Sequence, residues 1–216
     1  MKKRINTICG TKLQQALLSV ENHIAYITLH NPPVNAVSGI MQEEILKICD
    51  YINHNDDIWV CILHSDIKTF CAGVDIHRFY QSILDKDVSN TQERYYDGAQ
   101  ALYELRVPLI CAVHGYCLGG GMCYPAGADI TIAVKGTLFG APEAKLSVVG
   151  GCGHLSRILP PQIFRDMCYC GTLITAEDLH NKYGGITMVV DTQENLLPTA
   201  TQTGSIDPSL SEGLYE

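Results

Sequence analysis

Three short stretches of the chain combine groups able to stabilise negative charge with a group able to carry a proton. In Lys68-Thr-Phe-Cys-Ala-Gly-Val-Asp-Ile76, Gly73 follows an apolar run and lets the backbone turn sharply, leaving the Val74 N–H pointing outward without a partner. In His114-Gly-Tyr-Cys-Leu-Gly-Gly-Gly-Met122, Gly119, Gly120 and Gly121 open what should be a helix after a second apolar run. Such glycines let a ligand approach free N–H groups at the positive end of a helix. Two such N–H groups converging on one oxygen stabilise charge developing on a carbonyl. The third stretch, Phe139 to Gly153, carries Glu143 after Pro142 in an apolar, glycine-rich setting. Desolvation there raises a carboxyl pKa toward that of a useful proton shuttle. Each stretch also has a plain reading: an ordinary turn, tight packing of helix on strand, and a surface carboxylate paired with Lys145.

The elements that must position these groups follow from the apolar pattern. Leu17 to Val20 and Ile24 to Leu29 read as a hairpin around Glu21-Asn22-His23, and Asn31-Pro32-Pro33 is a break. From Ser38, a plausible N-cap, Ile40, Met41, Ile45, Ile48, Cys49 and Ile52 follow helical spacing to about His54. Trp59 to Leu63, Leu109 to Val113 and Ile130 to Val134 are continuous apolar runs, the signature of strands buried on both faces. Helical stretches at Thr91 to Leu105 and Gly119 to Ala126 separate them. The alternation predicts an α/β layer architecture with βαβ crossovers. Pro160 to Cys170 and Ala176 to Lys182 read as further short helices and Thr187 to Val190 as a last strand. One core domain over residues 12–190 is expected, with a short, loose, polar tail over 191–216, whose end TATQTGSIDPSLSEGLYE is poor in apolar residues.

Composition narrows the function. The 216 residues carry a formal charge of -8, which opposes binding to a phosphate backbone, so nucleic acid is not an expected partner. An anionic coenzyme would need local basic residues or backbone N–H groups. Ten cysteines are scattered, mostly inside apolar runs and without a CxxC pair, and read as free buried thiols of a reducing cytosol. No metal site is expected. Val107 to Ala128 holds no charged residue over 22 positions, but its two prolines and five glycines argue against a membrane span. His77, His114 and His154 belong to no recognisable ligand spacing.

The motifs FCAGVDI, LICAVHGY feeding LGGG, and FGAPEAKLSVV, in that order and spacing, resemble the enoyl-CoA hydratase/isomerase family, also called the crotonase family. The resemblance runs from about Leu17 to Val190. Locally, with ILPPQIF, it is most similar to carnitine-pathway hydratases acting on crotonobetainyl-CoA. It implies a spiral of βαβ turns, an acyl-CoA substrate and an oxyanion hole for the thioester enolate. An acyl carrier protein thioester is compatible with the same residues. No cofactor is implied beyond coenzyme A as part of the substrate. Carried over by motif, the donors are the N–H groups of Val74 and Gly120, flanked by Ala72, Gly73 and Gly119, and Glu143 is the proton shuttle. Lys68 and Arg78 flank the first segment and could meet coenzyme A phosphates.

Two departures from the family pattern matter. Hydratases of the family commonly place a glutamate shortly after the GGG, where this chain has Cys123, and a neutral thiol replaces a carboxylate poorly. As a covalent nucleophile Cys123 lacks an identifiable His or Asp partner. One glutamate suffices to move a proton between two carbons of an enolate, so isomerisation or related enolate chemistry is expected over simple hydration. A silent acyl-CoA-binding relative is the alternative. Family members also continue past the strand at Thr187 to Val190 with helices that cover the site and build a trimer. Here the expectation is a truncated C-terminal helical part and incomplete oligomer contacts.

Overall fold

The computed structural model describes residues 2–76, 80, 81, 84, 85, 97–146 and 152–205. Strand β1 (Lys3–Ile5) pairs antiparallel with β4 (Ala16–Glu21), while β2 (Thr7–Ile8) and β3 (Thr11–Lys12) form a small ribbon between them. The expected hairpin is β4 with β5 (Ile24–Leu29), in register from Ala16 opposite Leu29 to Glu21 opposite Ile24. Asn22 and His23 sit at its tip, both at positive φ. Helix α1 (Gly39–Asn53) starts where expected, because the Ser38 hydroxyl accepts the Met41 N–H at 3.2 Å. It buries Met41, Ile45, Ile48, Cys49 and Ile52 along one face.

From β5 onward the main sheet is parallel, adding β6 (Val60–Ser65), β7 (Leu109–Val113), β9 (Ile130–Val134) and β12 (Met188–Val190) in spatial order. Alternate residues of these strands feed two apolar clusters. Cys61, Leu63, Cys111 and Val113 face one, and Val60, Ile62, Ile110 and Ala112 face the other. Burial on both faces is why their sequences show no alternation.

A second, smaller layer makes the chain a spiral. After β5 the chain passes through Val37, after β6 through 71–74, after β7 through β8 (Tyr116–Leu118), and after β9 through β10 (Leu138–Gly140). Val37 bridges Val74, Cys71 bridges Cys117, and β8 pairs with β10, each time parallel, before β11 (Leu173–Thr175) closes the row antiparallel. Each turn then returns through helix: α1, the helix at 97–103, α2 (Cys123–Gly127), and α3 (Cys152–Leu155) followed by α4 (Pro161–Cys170). The α/β spiral expected from the alternation and the resemblance is the observed fold. Its second layer is built from strands of three residues or single bridges, too short to show a period.

The tail is where expectation and structure part. After α5 (Ala176–Asn181) and β12, residues Gln193–Gly204 form helix α6, which packs on β6, β7 and β9. Leu196, Ala200 and Gly204, four apart, make its buried stripe. Gly204 lies so close to the sheet that a methyl there would come 3.0 Å from Val60 Cγ1. Small residues do the packing, so a composition reading takes the segment for loose chain. β1 likewise carries the main sheet upstream of residue 12. No helix among the described residues is long and apolar enough to cross a membrane.

Candidate active site

The two glycine turns named from the sequence meet in the second layer. The segment leading to Gly73 is held on one side by β8, where the Cys71 N–H donates to Tyr116 O at 3.1 Å and the Leu118 N–H to Cys71 O at 2.8 Å. On its other side the Ala72 N–H donates to Val34 O, the Val37 N–H to Gly73 O, and the Asp75 N–H to Val37 O, at 3.0, 2.8 and 3.0 Å. In such a parallel bridge the partner strand uses the carbonyl before and the amide after the central residue. The N–H of Val74 is therefore turned away from Val37, and Gly73 makes the turn at φ +99°.

Gly119 to Met122 form a single 3-10 turn continuing into α2. Its first N–H groups, those of Gly119 and Gly120, precede the first donor within the turn, so the Gly120 N–H has no intrahelical acceptor. Gly119 reverses the chain at φ +54°. The two turns touch: a methyl on Gly73 would lie 3.4 Å from Gly120 N, and one on Gly120 would lie 3.6 Å from Val74 N. The tighter contacts are with other atoms: a methyl on Gly73 would come 3.1 Å from Leu118 O, in addition to its φ, and one on Gly120 would come 3.0 Å from Val74 Cγ2. The arrangement places two unengaged backbone donors side by side, able to share an oxygen.

Glu143 lies in the 3-10 turn Pro142–Leu146 after β10 and comes over the same place. A methyl on Gly119 would collide with its Oε1. Burial raises its carboxyl above the usual range, while a backbone hydrogen bond acts weakly the other way. Oε2 is buried and has no hydrogen-bond partner among the described residues. The proposed pairing with Lys145 is not formed; Lys145 Nζ donates to Gly171 O at 3.1 Å instead. A carboxyl raised by burial, with Oε2 unpartnered among the described residues, beside two free amides can take up and return a proton.

The remaining residues divide. Ala72, Gly73 and Gly119 line the approach of the two turns, whereas Lys68 is exposed at the far end of the segment that leads to Gly73. Arg78 and His77 lie outside the described residues. Cys123, where the family's hydratases place a second glutamate, is 2% exposed among Cys71, Cys117 and Tyr124, a core position. Cys71 and Cys117 are likewise buried and free, with thiols pushed upward by desolvation, and are inert for that reason. His114 is buried, with Nε2 2.6 Å from Ile67 O, a position in the interior and not at the two turns. The segment 31–37, of which the sequence reading marks only the break at Asn31-Pro32-Pro33, proves to be one wall of the first turn. The signal available for it was Asn35, a polar residue between Val34 and Ala36.

The family model described as enoyl-CoA hydratase/isomerase matches residues 19–205. A protein of Rhodococcus jostii (strain RHA1) named "(7aS)-7a-methyl-1,5-dioxo-2,3,5,6,7,7a-hexahydro-1H-indene-carboxyl-CoA hydrolase" is 31% identical over 182 residues, 82% of this chain and 68% of its own. The mevalonyl-coenzyme A hydratase of Aspergillus fumigatus is 30% identical over 186 residues, 83% of this chain and 67% of its own. Among solved structures, an enoyl-CoA hydratase/carnithine racemase of Magnetospirillum magneticum superimposes with a TM-score of 0.82 at 23% identity, covering 89% of this chain and 74% of that one, and so shares the fold. With a family match across most of its length and the two glycine turns facing one carboxylate, this chain belongs to the enoyl-CoA hydratase/isomerase family of acyl-CoA enzymes.

Proposed function

We propose that the chain rearranges an unsaturated acyl-CoA through its thioester enolate, with Val74 and Gly120 N–H groups holding the enolate oxygen and Glu143 carrying the proton. The observation that supports this reading is the Glu143 carboxyl, raised by burial and with Oε2 lacking a hydrogen-bond partner among the described residues, standing over Gly119 beside the two amides. On a 3-enoyl thioester, Glu143 removes a proton from C2 and the charge moves onto the thioester oxygen. The same carboxylic acid returns the proton to C4, giving the 2-enoyl isomer with no net loss or gain of atoms. Hydration needs a second group to position and deprotonate water, and position 123 supplies a buried thiol instead.

The test compares 2-enoyl-CoA and 3-enoyl-CoA substrates side by side with the purified chain, and follows exchange of the C2 protons of a saturated acyl-CoA into deuterated water. Isomerisation and exchange with little hydration are expected. Fast hydration of the 2-enoyl ester overturns the preference for isomerisation, and binding without any exchange overturns the enolate reading.

A further inference from the structure

Asn35 is wholly buried, has its backbone at φ +51°, and engages every one of its polar groups, closing its own turn and reaching the segment that leads to Val74. Its Oδ1 accepts the Asn31 N–H at 2.6 Å, and its own N–H donates to Asn31 O at 2.8 Å, which closes the turn 31–35 on itself. Its Nδ2 shares its two hydrogens among four acceptors, Ser65 Oγ at 2.8 Å, Phe70 O at 3.0 Å, Thr69 O at 3.1 Å and Leu29 O at 3.4 Å. Its carbonyl accepts the Cys71 thiol at 3.0 Å. One side chain thus ties the ends of β5 and β6 to the two carbonyls that immediately precede Cys71. Ser65 Oγ, itself an acceptor for Nδ2, also donates to Thr69 O at 2.9 Å, and the backbone bonds of Val34 and Val37, which belong to the same turn as Asn35, hold the segment further along.

The consequence is mechanical. The Thr69 and Phe70 carbonyls are held by Nδ2, Thr69 O with help from Ser65 Oγ, and the turn 31–37 that Asn35 folds supplies the acceptor and donor at Val34 and Val37 that fix Ala72, Gly73 and Asp75. The Val74 N–H direction is what remains free between these fixed points. We propose that Asn35 is a positioning residue for the Val74 amide, acting on turnover through that amide without touching substrate. The proposal rests on the enolate reading for its catalytic consequence, though not for its geometry.

Replacement by aspartate keeps the volume but puts an oxygen where Nδ2 faces four acceptors, and Asn35→Gly keeps the positive φ while removing the side chain. Both are measured in the full chain alongside Ser65→Ala, which deletes one Nδ2 acceptor together with the Ser65 Oγ bonds to Thr69 O and Ile67 N–H but leaves Asn35 in place, and is the milder variant should the others fail to fold. The readouts are thermal midpoint, kcat and KM for the exchange or isomerisation reaction, and the 15N–1H resonance of Val74. Expected for Asn35→Gly and Asn35→Asp are a kcat fall approaching the ~10² seen for loss of one oxyanion donor, KM within about threefold, and a displaced Val74 resonance. Ser65→Ala should lower kcat by roughly three- to tenfold in the same pattern, because the Asn35 side chain keeps its bonds to Phe70 O and Thr69 O. Folded variants with wild-type kcat and an unmoved Val74 resonance overturn the proposal, as does a change confined to KM. If the wild-type chain shows no exchange, the enolate reading fails on its own. Asn35 is then judged by the Val74 resonance alone: displacement supports the positioning role and constancy overturns it.

Discussion

Glu143 takes a carboxyl group out of water without giving Oε2 a hydrogen bond among the described residues, which disfavours its charged form in the folded protein. The sign of the resulting pH dependence follows by linkage. A carboxyl raised on folding from the ordinary 4.5 leaves the native state holding more protons than the unfolded one, so its contribution is fully present below 4.5 and is lost as pH rises through the folded value. Glu143→Gln removes the charge and keeps the shape. Exchange of C2 protons should fall by about 10²- to 10⁴-fold, the range for loss of a general acid–base. Thermal midpoints measured across pH should show the variant above wild type at neutral pH, with the two converging near pH 4. A variant less stable than wild type at pH 7.5 would mean that the carboxylate is engaged in the native structure, contrary to its unpartnered Oε2.

At the scale of the element, the decisive unit is the turn at Gly119 to Gly121, whose glycines act for different reasons. Gly119 is at φ +54° with Glu143 Oε1 against it, and Gly121 has Cys71 Sγ where a methyl would go, at 2.7 Å. Gly136 has a comparable φ of +77° but open space around it. Gly136→Ala should therefore cost about 1 kcal/mol of stability from backbone strain and leave turnover unchanged. Gly119→Ala, with similar strain, must displace the Glu143 carboxyl and should lower kcat by roughly 10²-fold, as a misplacement of about 1 Å can. Equal kcat values in the two variants would detach Glu143 from this turn. Legibility in the sequence tracks the same distinction. The long parallel strands, α1 and both glycine turns announce themselves, because a buried strand needs a continuous apolar run and a close approach needs glycine. The bridges Val37 to Val74 and Cys71 to Cys117 leave no trace, since one residue has no period. What Glu143 does with Lys145 depends on Gly171, 26 residues beyond that lysine, and no local reading reaches so far.

For the whole molecule, the main sheet separates chemistry from an independent source of stability. Phe70, Cys71, Cys117, Met122 and Cys123, which underlie the two turns, belong to the cluster on one face, whereas Leu196 and Ala200 of α6 join Val60, Ile62, Ile110 and Ala112 on the other. Covering that face is the work of the segment that reads from sequence as a loose tail. Leu196 is 4% exposed, and its truncation to alanine leaves a void against the parallel strands. Leu196→Ala should cost about 2–5 kcal/mol, a fall in thermal midpoint of several degrees for a chain of this size. Gln202→Ala, on the exposed side of the same helix, should change it by less than about 0.5 kcal/mol. Because the perturbed face is remote from the glycine turns, kcat measured below the midpoint should match wild type. A Leu196→Ala midpoint equal to that of Gln202→Ala would show α6 detached from the sheet in solution. A loss of kcat in the folded variant would show instead that the two faces are coupled through β6 and β7, whose residues alternate between the clusters.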